Sequence, residues 1–349
     1  MWFSTDNAVA APSPEQTGVA ALSPNAMIED ERNSVSVYEA MAPATVFVTQ
    51  NQRMLEAFTR KPLEVASGSG TGFIWDNEGH IVTNFHVVAG ASSLRVTLQN
   101  QESYEATLVG GEPRRDLAVL KIDAPAEQLV PVRRMPRGGR LMVGQKAIAI
   151  GNPFGLDHTL TTGVVSALDR EVQGYGGVTI PGMIQTDASI NPGNSGGPLL
   201  DSRGRLMGMN TMIFSQTGGS AGIGFAVPSA IVERLVPQII RDGKVVQAGI
   251  GISVAPEEWT IRLGIEGVIV DDVSAGSPAA KAGMSGIQYD MRGYPMDIGD
   301  VIVAVDGENV ANYDDLYNLM DLHSPGDTVK LTIERGGKRR TVSITLIAL

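Results

Sequence analysis

The sequence predicts a mostly β protein: two antiparallel β-barrels, then a small α+β domain. Three observations carry this expectation. Short runs rich in Val, Ile and Thr recur along residues 44–228. The chain's 41 glycines and 19 prolines fall largely between such runs. After residue 244 the pattern restarts with strands and a helix interleaved. Short β-prone runs punctuated by turn residues suit antiparallel barrels or a sandwich. At 349 residues the chain is long enough for two or three domains with full cores.

Residues 1–33 are rich in Ala, Pro, Ser and acids and read as a flexible tail. Within it, Ala8-Val9-Ala10 has the small-residue form of a signal-peptide end, although no basic or long apolar stretch precedes it. Two readings stand: an upstream targeting segment removed or left out, or an ordinary disordered tail. The first strand is ATVFVTQ. Then come TGFIW, HIVTNF, SLRVTL, EATLVG and LAVLKI, and, beyond a proline-rich divide at 124–136, KAIAIG, LTTGVVSAL, VTIPGMIQT, GPLLD, RLMGMNTMI and GIGFAVP. PSAIVERLVPQIIRDGK reads as a helix. Pro228 lies near its start, Gly243 can end it, and Pro237 kinks or splits it. GVIVDDV and DVIVAVDG then read as strands, YDDLYNLMDLH as a helix, and TVKLTIERGGKRRTVSITL as a hairpin closed at Gly336-Gly337. The boundaries expected are a barrel domain at 34–243 and a second domain at 249–349.

Composition excludes several classes of function. A net charge of −11 argues against nucleic-acid binding through the overall field. There are no cysteines, so there are neither disulfides nor thiolate chemistry. No apolar run reaches the length of a membrane-spanning helix. H-E-x-x-H, Cys/His clusters and the G-x-x-x-x-G-K-[ST] loop are absent, so no metal or cofactor is expected. The glycine run Gly68-Ser69-Gly70-Thr71-Gly72 lacks dinucleotide spacing and reads as a strand passing close to a cleft.

Residues 190–200 read INPGNSGGPLL, a turn that presents Ser195 between glycines. Alone, such a turn is weak evidence, because Gly and Ser fill turns everywhere. A nucleophilic serine also needs a base, and the base needs an acid. Of the four histidines, His80 is placed at a turn, His158 in a loop and His323 near a helix end. His86 ends the strand-like run HIVTNFHVVAG among apolar residues that would hold an imidazole, either as a base or as a buried structural histidine. Asp116 stands at the mouth of the apolar strand LAVLKI, where its carboxylate needs a partner: either the base, or simply Arg114 or Arg115. The residues around Ser195 also fit G-x-S-x-G. That reading fails, because Pro198 and a strand follow instead of a helix, and the only later histidine is His323. The order His86, Asp116, Ser195 places two groups in the first barrel and one in the second. The N–H groups of Gly193 and Ser195 could then bind an oxyanion.

This order and pair of barrels resemble the chymotrypsin-fold serine proteases. TNFHVV, RRDLAVLKI, GNPFGLDHTLTTGVVSAL and DASINPGNSGGPLLD are together similar to the HtrA/Deg family of ATP-independent proteases, over about residues 35–349. The resemblance implies two six-stranded barrels, a final PDZ domain, and the triad His86, Asp116, Ser195. It implies quality-control cleavage of unfolded or damaged proteins under stress, with a peptide-binding chaperone or scaffold as the alternative. It also implies a homotrimer or higher oligomer, in a bacterial periplasm or cell envelope or in the thylakoid lumen. Proteases of this fold that prefer basic side chains carry Asp at the position of Ser189. Here Ser189, Ile190, Ile223 and Phe225 suggest an apolar pocket, although Ile190 and Ile223 could simply be core. In the second domain Ile250-Gly251-Ile252 matches the family's loop for peptide C-termini, with Ile where an aromatic or Leu is more usual.

Overall fold

The computed structural model describes residues 27–55, 62–136, 138–153, 155, 157–174, 178–213 and 222–349. The tail up to residue 26, with Ala8–Ala10, lies outside them. Helix α1 (Glu29–Met41) starts inside the stretch read as tail. Its first turn carries Glu29, Asp30 and Glu31, the sign that suits a helix N-terminus. Its Val37 and Met41 are buried in the main core, and that burial holds the helix in place.

Strands β1 (Thr45–Leu55), β2 (Pro62–Ile74), β3 (His80–Thr83), β4 (Ser93–Thr97), β5 (Ser103–Glu112) and β6 (Leu117–Ile122) form a closed barrel in the order β1-β2-β3-β6-β5-β4. Strand β7 (Arg133–Arg134) is followed by β8 (Lys146–Gly151), β9 (Thr159–Gln173), β10 (Thr179–Thr186), β11 (Pro198–Leu200), β12 (Arg205–Ile213) and β13 (Gly224–Pro228). Six of these form a second ring, β11-β8-β9-β10-β13-β12, closed by the β11–β12 pairing, and β7 adds to β12 in parallel. Alternation along the strands explains why near-continuous apolar runs fit here. In β6, Ala118, Leu120 and Ile122 fill the first barrel, whereas Leu117 and Val119 face a core shared with the second. In β8, Ala147 and Ala149 fill the second barrel, whereas Ile148 and Ile150 join the shared core.

Helix α3 (Ser229–Asp242) buries Val232, Leu235, Val236 and Ile239 against that core and ends at Gly243, φ 71°. It runs through Pro237 as one helix rather than splitting there. His86 does not end a strand: Asn84 leaves β3, and His86 lies in a single turn, α2 (Phe85–Val88). That turn buries Val87 and Val88 together in the first barrel. His80 opens β3, where it is buried with Nδ1 2.7 Å from Asp76 Oδ2.

The last unit comprises β14 (Ala248–Gly249), β15 (Ile252–Val254), α4 (Glu257–Leu263), β16 (Val268–Val273), α5 (Pro278–Lys281), β17 (Gln288–Tyr289), β18 (Pro295–Asp297), β19 (Val301–Val305), β20 (Glu308–Asn309), α6 (Tyr313–Met320), β21 (Thr328–Arg335), β22 (Lys338–Thr345) and β23 (Ile347–Ala348). Its main sheet runs β15-β16-β19-β21-β22, so β15 is an edge strand. The β21–β22 hairpin turns at Gly336 and Gly337, both at positive φ. Helix α6 faces the barrel unit: Asp314 accepts from Thr179 N at 3.0 Å, and Asn318 Nδ2 donates to Thr179 O at 3.2 Å.

Candidate active site

Asp116 follows a short 3-10 turn, Pro113–Arg115, and takes the left-handed conformation, φ 50°, ψ 43°. That region is uncommon for residues other than glycine, although Asp enters it more readily than most, and here it aims the carboxylate back at α2. The group is fully buried. Its Oδ1 accepts from His86 N at 3.0 Å, and its Oδ2 lies 2.8 Å from His86 Nδ1. Thr211 Oγ1 donates to Oδ2 at 2.5 Å. Asn84 Nδ2 donates to the Asp116 carbonyl at 3.0 Å. A carboxylate removed from water is tolerable only with such partners. Of the two partners open to Asp116, the structure provides the histidine: Arg114 and Arg115 pair with Asp314 and Asp321 instead.

Ser195 sits on the β10–β11 loop, brought across from the second barrel. Thr71 N donates to Ser195 O at 2.9 Å, and Thr71 Oγ1 to Gly193 O at 2.5 Å. Asn194 ties the loop from within: its Oδ1 accepts from Asn191 N at 3.0 Å, and its Nδ2 donates to Ser189 O at 3.1 Å. Gly193 has φ 105°, and a Cβ there would run into Pro153. Gly196 has φ 84°, with the Thr71 carbonyl where a Cβ would go. The glycines of this turn are therefore a steric requirement. Gly70 is one as well, since a Cβ there would meet Val87 and Ser195 O. The glycine-rich strand does pass close to the cleft. Among the described residues, the N–H groups of Gly193 and Ser195 donate no hydrogen bond, and Ser195 Oγ makes none.

Ser195, His86, Gly193, Ile190, Ser69, Asn191 and Pro192 line one cavity of about 340 Å³. Among the described residues, Ser189, Ile223 and Phe225 are not part of its wall. Ser189 is exposed, and Phe225 is buried in the shared core with Ile223 packed against it. Ile190 fills both roles weighed for it, core of the second barrel and cavity wall. His158 and His323 lie elsewhere: His158 Nε2 is 2.8 Å from Thr45 O, and His323 Nε2 is 3.4 Å from Asp306 Oδ2. Sequence reasoning missed Asn84, Thr211, Thr71 and Asn194. The signal for two of them was visible. Asn84 and Asn210-Thr211 are polar breaks inside apolar strand-like runs, and buried polar groups need a specific partner.

A second cavity, about 230 Å³, lies between β15 and α6, lined by residues 247–254 with Tyr313, Leu316, Tyr317, Met320 and Leu349. Ile250-Gly251-Ile252 forms its end. Gly251 is at φ 78°, and a Cβ there would press on Ser277. Among the described residues, the N–H groups of Ile250 and Gly251 donate no hydrogen bond. An edge strand beside an apolar groove, with free N–H groups at one end, can take up an extended peptide.

The fold and the two sites define a trypsin-like serine peptidase carrying one PDZ domain. The family models agree: a trypsin-like peptidase domain matches residues 70–209, and a PDZ domain matches residues 248–346. Protease Do-like 1, chloroplastic, from Arabidopsis thaliana is 46% identical over 341 residues, which is 97% of this chain and 77% of that protein. A probable periplasmic serine endoprotease, DegP-like, from Chlamydia trachomatis is 41% identical over 292 residues, 82% of this chain and 55% of that protein. Among solved structures, the HtrA-type protease AlgW with a decapeptide aligns at TM-score 0.65 and 33% identity, over 90% of this chain and 98% of that one. The serine endoprotease from Yersinia pestis aligns at TM-score 0.60 and 33% identity, over 90% and 98%. The chain belongs to the HtrA/Deg family of serine endopeptidases.

Proposed function

We propose that this endopeptidase uses Ser195 as nucleophile, His86 as general base and Asp116 as the group that orients His86, and that it cuts unfolded or damaged chains in protein quality control under stress. The observation that carries the reading is the Asp116–His86 pair at 2.8 Å, with His86 and Ser195 on the wall of one cavity. Asp116 on Nδ1 leaves Nε2 as the basic nitrogen. As Ser195 Oγ attacks the peptide carbonyl, its proton passes to Nε2. The carbonyl oxygen becomes an oxyanion facing the N–H groups of Gly193 and Ser195. Collapse breaks the C–N bond, the amine leaves with the proton from Nε2, and water then releases the acyl group by the same route. The Ser195–His86 hydrogen bond forms when substrate fills the cavity, as is common when free and bound enzymes are compared.

The first contact for the substrate side chain is Ile190, and among the described residues no carboxylate lines the cavity, so cleavage after aliphatic residues is favoured. Proposed domain limits are 34–243 and 249–349, with α1 extending the first unit to residue 29. We also propose a homotrimer or higher oligomer, with the PDZ groove taking peptide C-termini. The compartment proposed is a bacterial periplasm or the thylakoid lumen, by kinship with chloroplastic and periplasmic proteins. Digestion of casein, with and without Ser195→Ala, tests the protease reading against a chaperone that binds without cutting. Light scattering tests the oligomer.

A further inference from the structure

Arg115 immediately precedes Asp116. Among the described residues it is the arginine most withdrawn from solvent, with its side chain 4% exposed. Nη2 donates to Asp321 Oδ2 at 2.7 Å, and the Tyr317 ring centre lies 5.8 Å from the guanidinium, but Nε and Nη1 are buried without a hydrogen-bond partner. Asp321 caps the C-terminus of α6, so among the described residues the one carboxylate paired with this buried charge comes from the PDZ unit. Arg234 of α3 shares the same carboxylate at 2.8 Å, from a more exposed position. Arg114 grips the same helix. Its guanidinium lies 4.6 Å and 4.4 Å from the ring centres of Tyr313 and Tyr317, and Nη1 is 2.6 Å from Asp314 Oδ1. At the other end of the turn, Glu112 accepts from Arg114 N at 3.1 Å and from Gln247 Nε2 at 3.5 Å.

A half-satisfied buried guanidinium is a poor stabilising device, since an apolar side chain of similar size would cost less. Its position offers another use. Asp116 is held at positive φ, and such conformations persist only where the surroundings over-determine them. The clasp on α6 fixes the backbone of the residue just before it. We propose that Arg115, held by Asp321, is a positioning residue for Asp116. It keeps the turn 113–116 in the one geometry that puts the carboxylate on His86 Nδ1. The pairing of His86 with its acid then depends on how the PDZ unit is docked. Tyr313 and Tyr317, which line the peptide groove, lie on the same clasp. The proposal rests on the catalytic reading of His86, Asp116 and Ser195.

The test uses the full chain and a short chromogenic peptide with an aliphatic residue at the cut site, too short to reach the PDZ groove. Arg115→Gln and Asp321→Asn should each lower kcat about fivefold and leave KM within about twofold. The double variant should be no worse than either single one, because both break one link. Arg115→Lys, which keeps the charge, should recover part of the loss. Arg234→Gln, on the same carboxylate but on the exposed side and not in the turn 113–116, should stay within about twofold. The low-field proton resonance of the His86 Nδ1–H bonded to Asp116 should weaken in Arg115→Gln and Asp321→Asn. Circular dichroism confirms folding, and if Arg115→Gln does not fold, Asp321→Asn decides alone by kcat and resonance. Wild-type kcat and an unchanged resonance in a folded Asp321→Asn variant would overturn the proposal, as would an additive double variant that Arg115→Lys does not relieve. Ser195→Ala in the same assay separates the two readings. Turnover in that variant sinks the catalytic assignment, whereas its loss beside unaffected clasp variants sinks only this inference.

Discussion

Thr211 is a site residue that no motif marks. Its hydroxyl reaches Asp116 Oδ2 from β12, across the join between the barrels. A hydrogen bond to a charged group contributes about 1.5–3 kcal/mol, and its loss leaves a buried carboxylate under-satisfied. Thr211→Val keeps the shape, so kcat/KM on a short peptide should fall by about tenfold or more while the fold remains. Gly193→Ala should be more damaging to activity than to stability. The added methyl meets Pro153 at a positive φ and would displace one of the two N–H groups proposed to bind the oxyanion, a loss expected to cost about 100-fold or more. Specificity belongs to this scale too. Mass spectrometry of a digested, unfolded protein should find cuts after Val, Ala, Ile or Leu, with Lys and Arg rare, because Ile190 lines the cavity and no carboxylate does among the described residues.

Among the elements, the most apolar strands were legible because they bury two faces. LAVLKI and KAIAIG read as unbroken apolar runs, and the structure sends alternate residues to a barrel interior and to the shared core. Less legible were the short elements fixed only by tertiary contacts. The turn α2 forms because Val87 and Val88 fill a gap in the first barrel, and local propensity does not show that. The start of α1 was hidden by the polar composition around it. The contacts of α6 with the turn 113–115 lay beyond any sequence pattern, since they join residues some 200 positions apart. They leave a measurable mark. Burial, then the charges of Glu112 and Asp321, pushes the Tyr317 phenol far above the ordinary range, against the pull of Arg115 and Arg114. With the native pKa raised, the contribution of Tyr317 is intact below about pH 10, where the unfolded phenol titrates, and is lost above it. Denaturation midpoints at pH 9 and pH 11 should therefore fall further for wild type than for Tyr317→Phe.

At the scale of the whole molecule, the catalytic groups all precede residue 212 and the peptide groove follows residue 246. A chain ending at Lys244 keeps both barrels and α3. It should cleave short peptides within about tenfold of the full chain, a change of about 1.4 kcal/mol in the barrier. Digestion of an unfolded protein should suffer more, because only a long chain can occupy groove and cleft together. Loss of the Asp321 clasp on Arg115 should lower cleavage of both substrates about equally, so a loss no greater on the unfolded protein than on the peptide would mean that the PDZ unit does not also act as a tether. Everything proposed here requires Ser195 to be the nucleophile of a working protease. The most direct measurement is the initial rate of casein cleavage by the full chain and by Ser195→Ala, purified alike and both shown to be folded. Ser195→Ala should lose activity by about a million-fold, to the background of the assay. A folded Ser195→Ala chain that keeps even a few per cent of the activity would contradict this assignment.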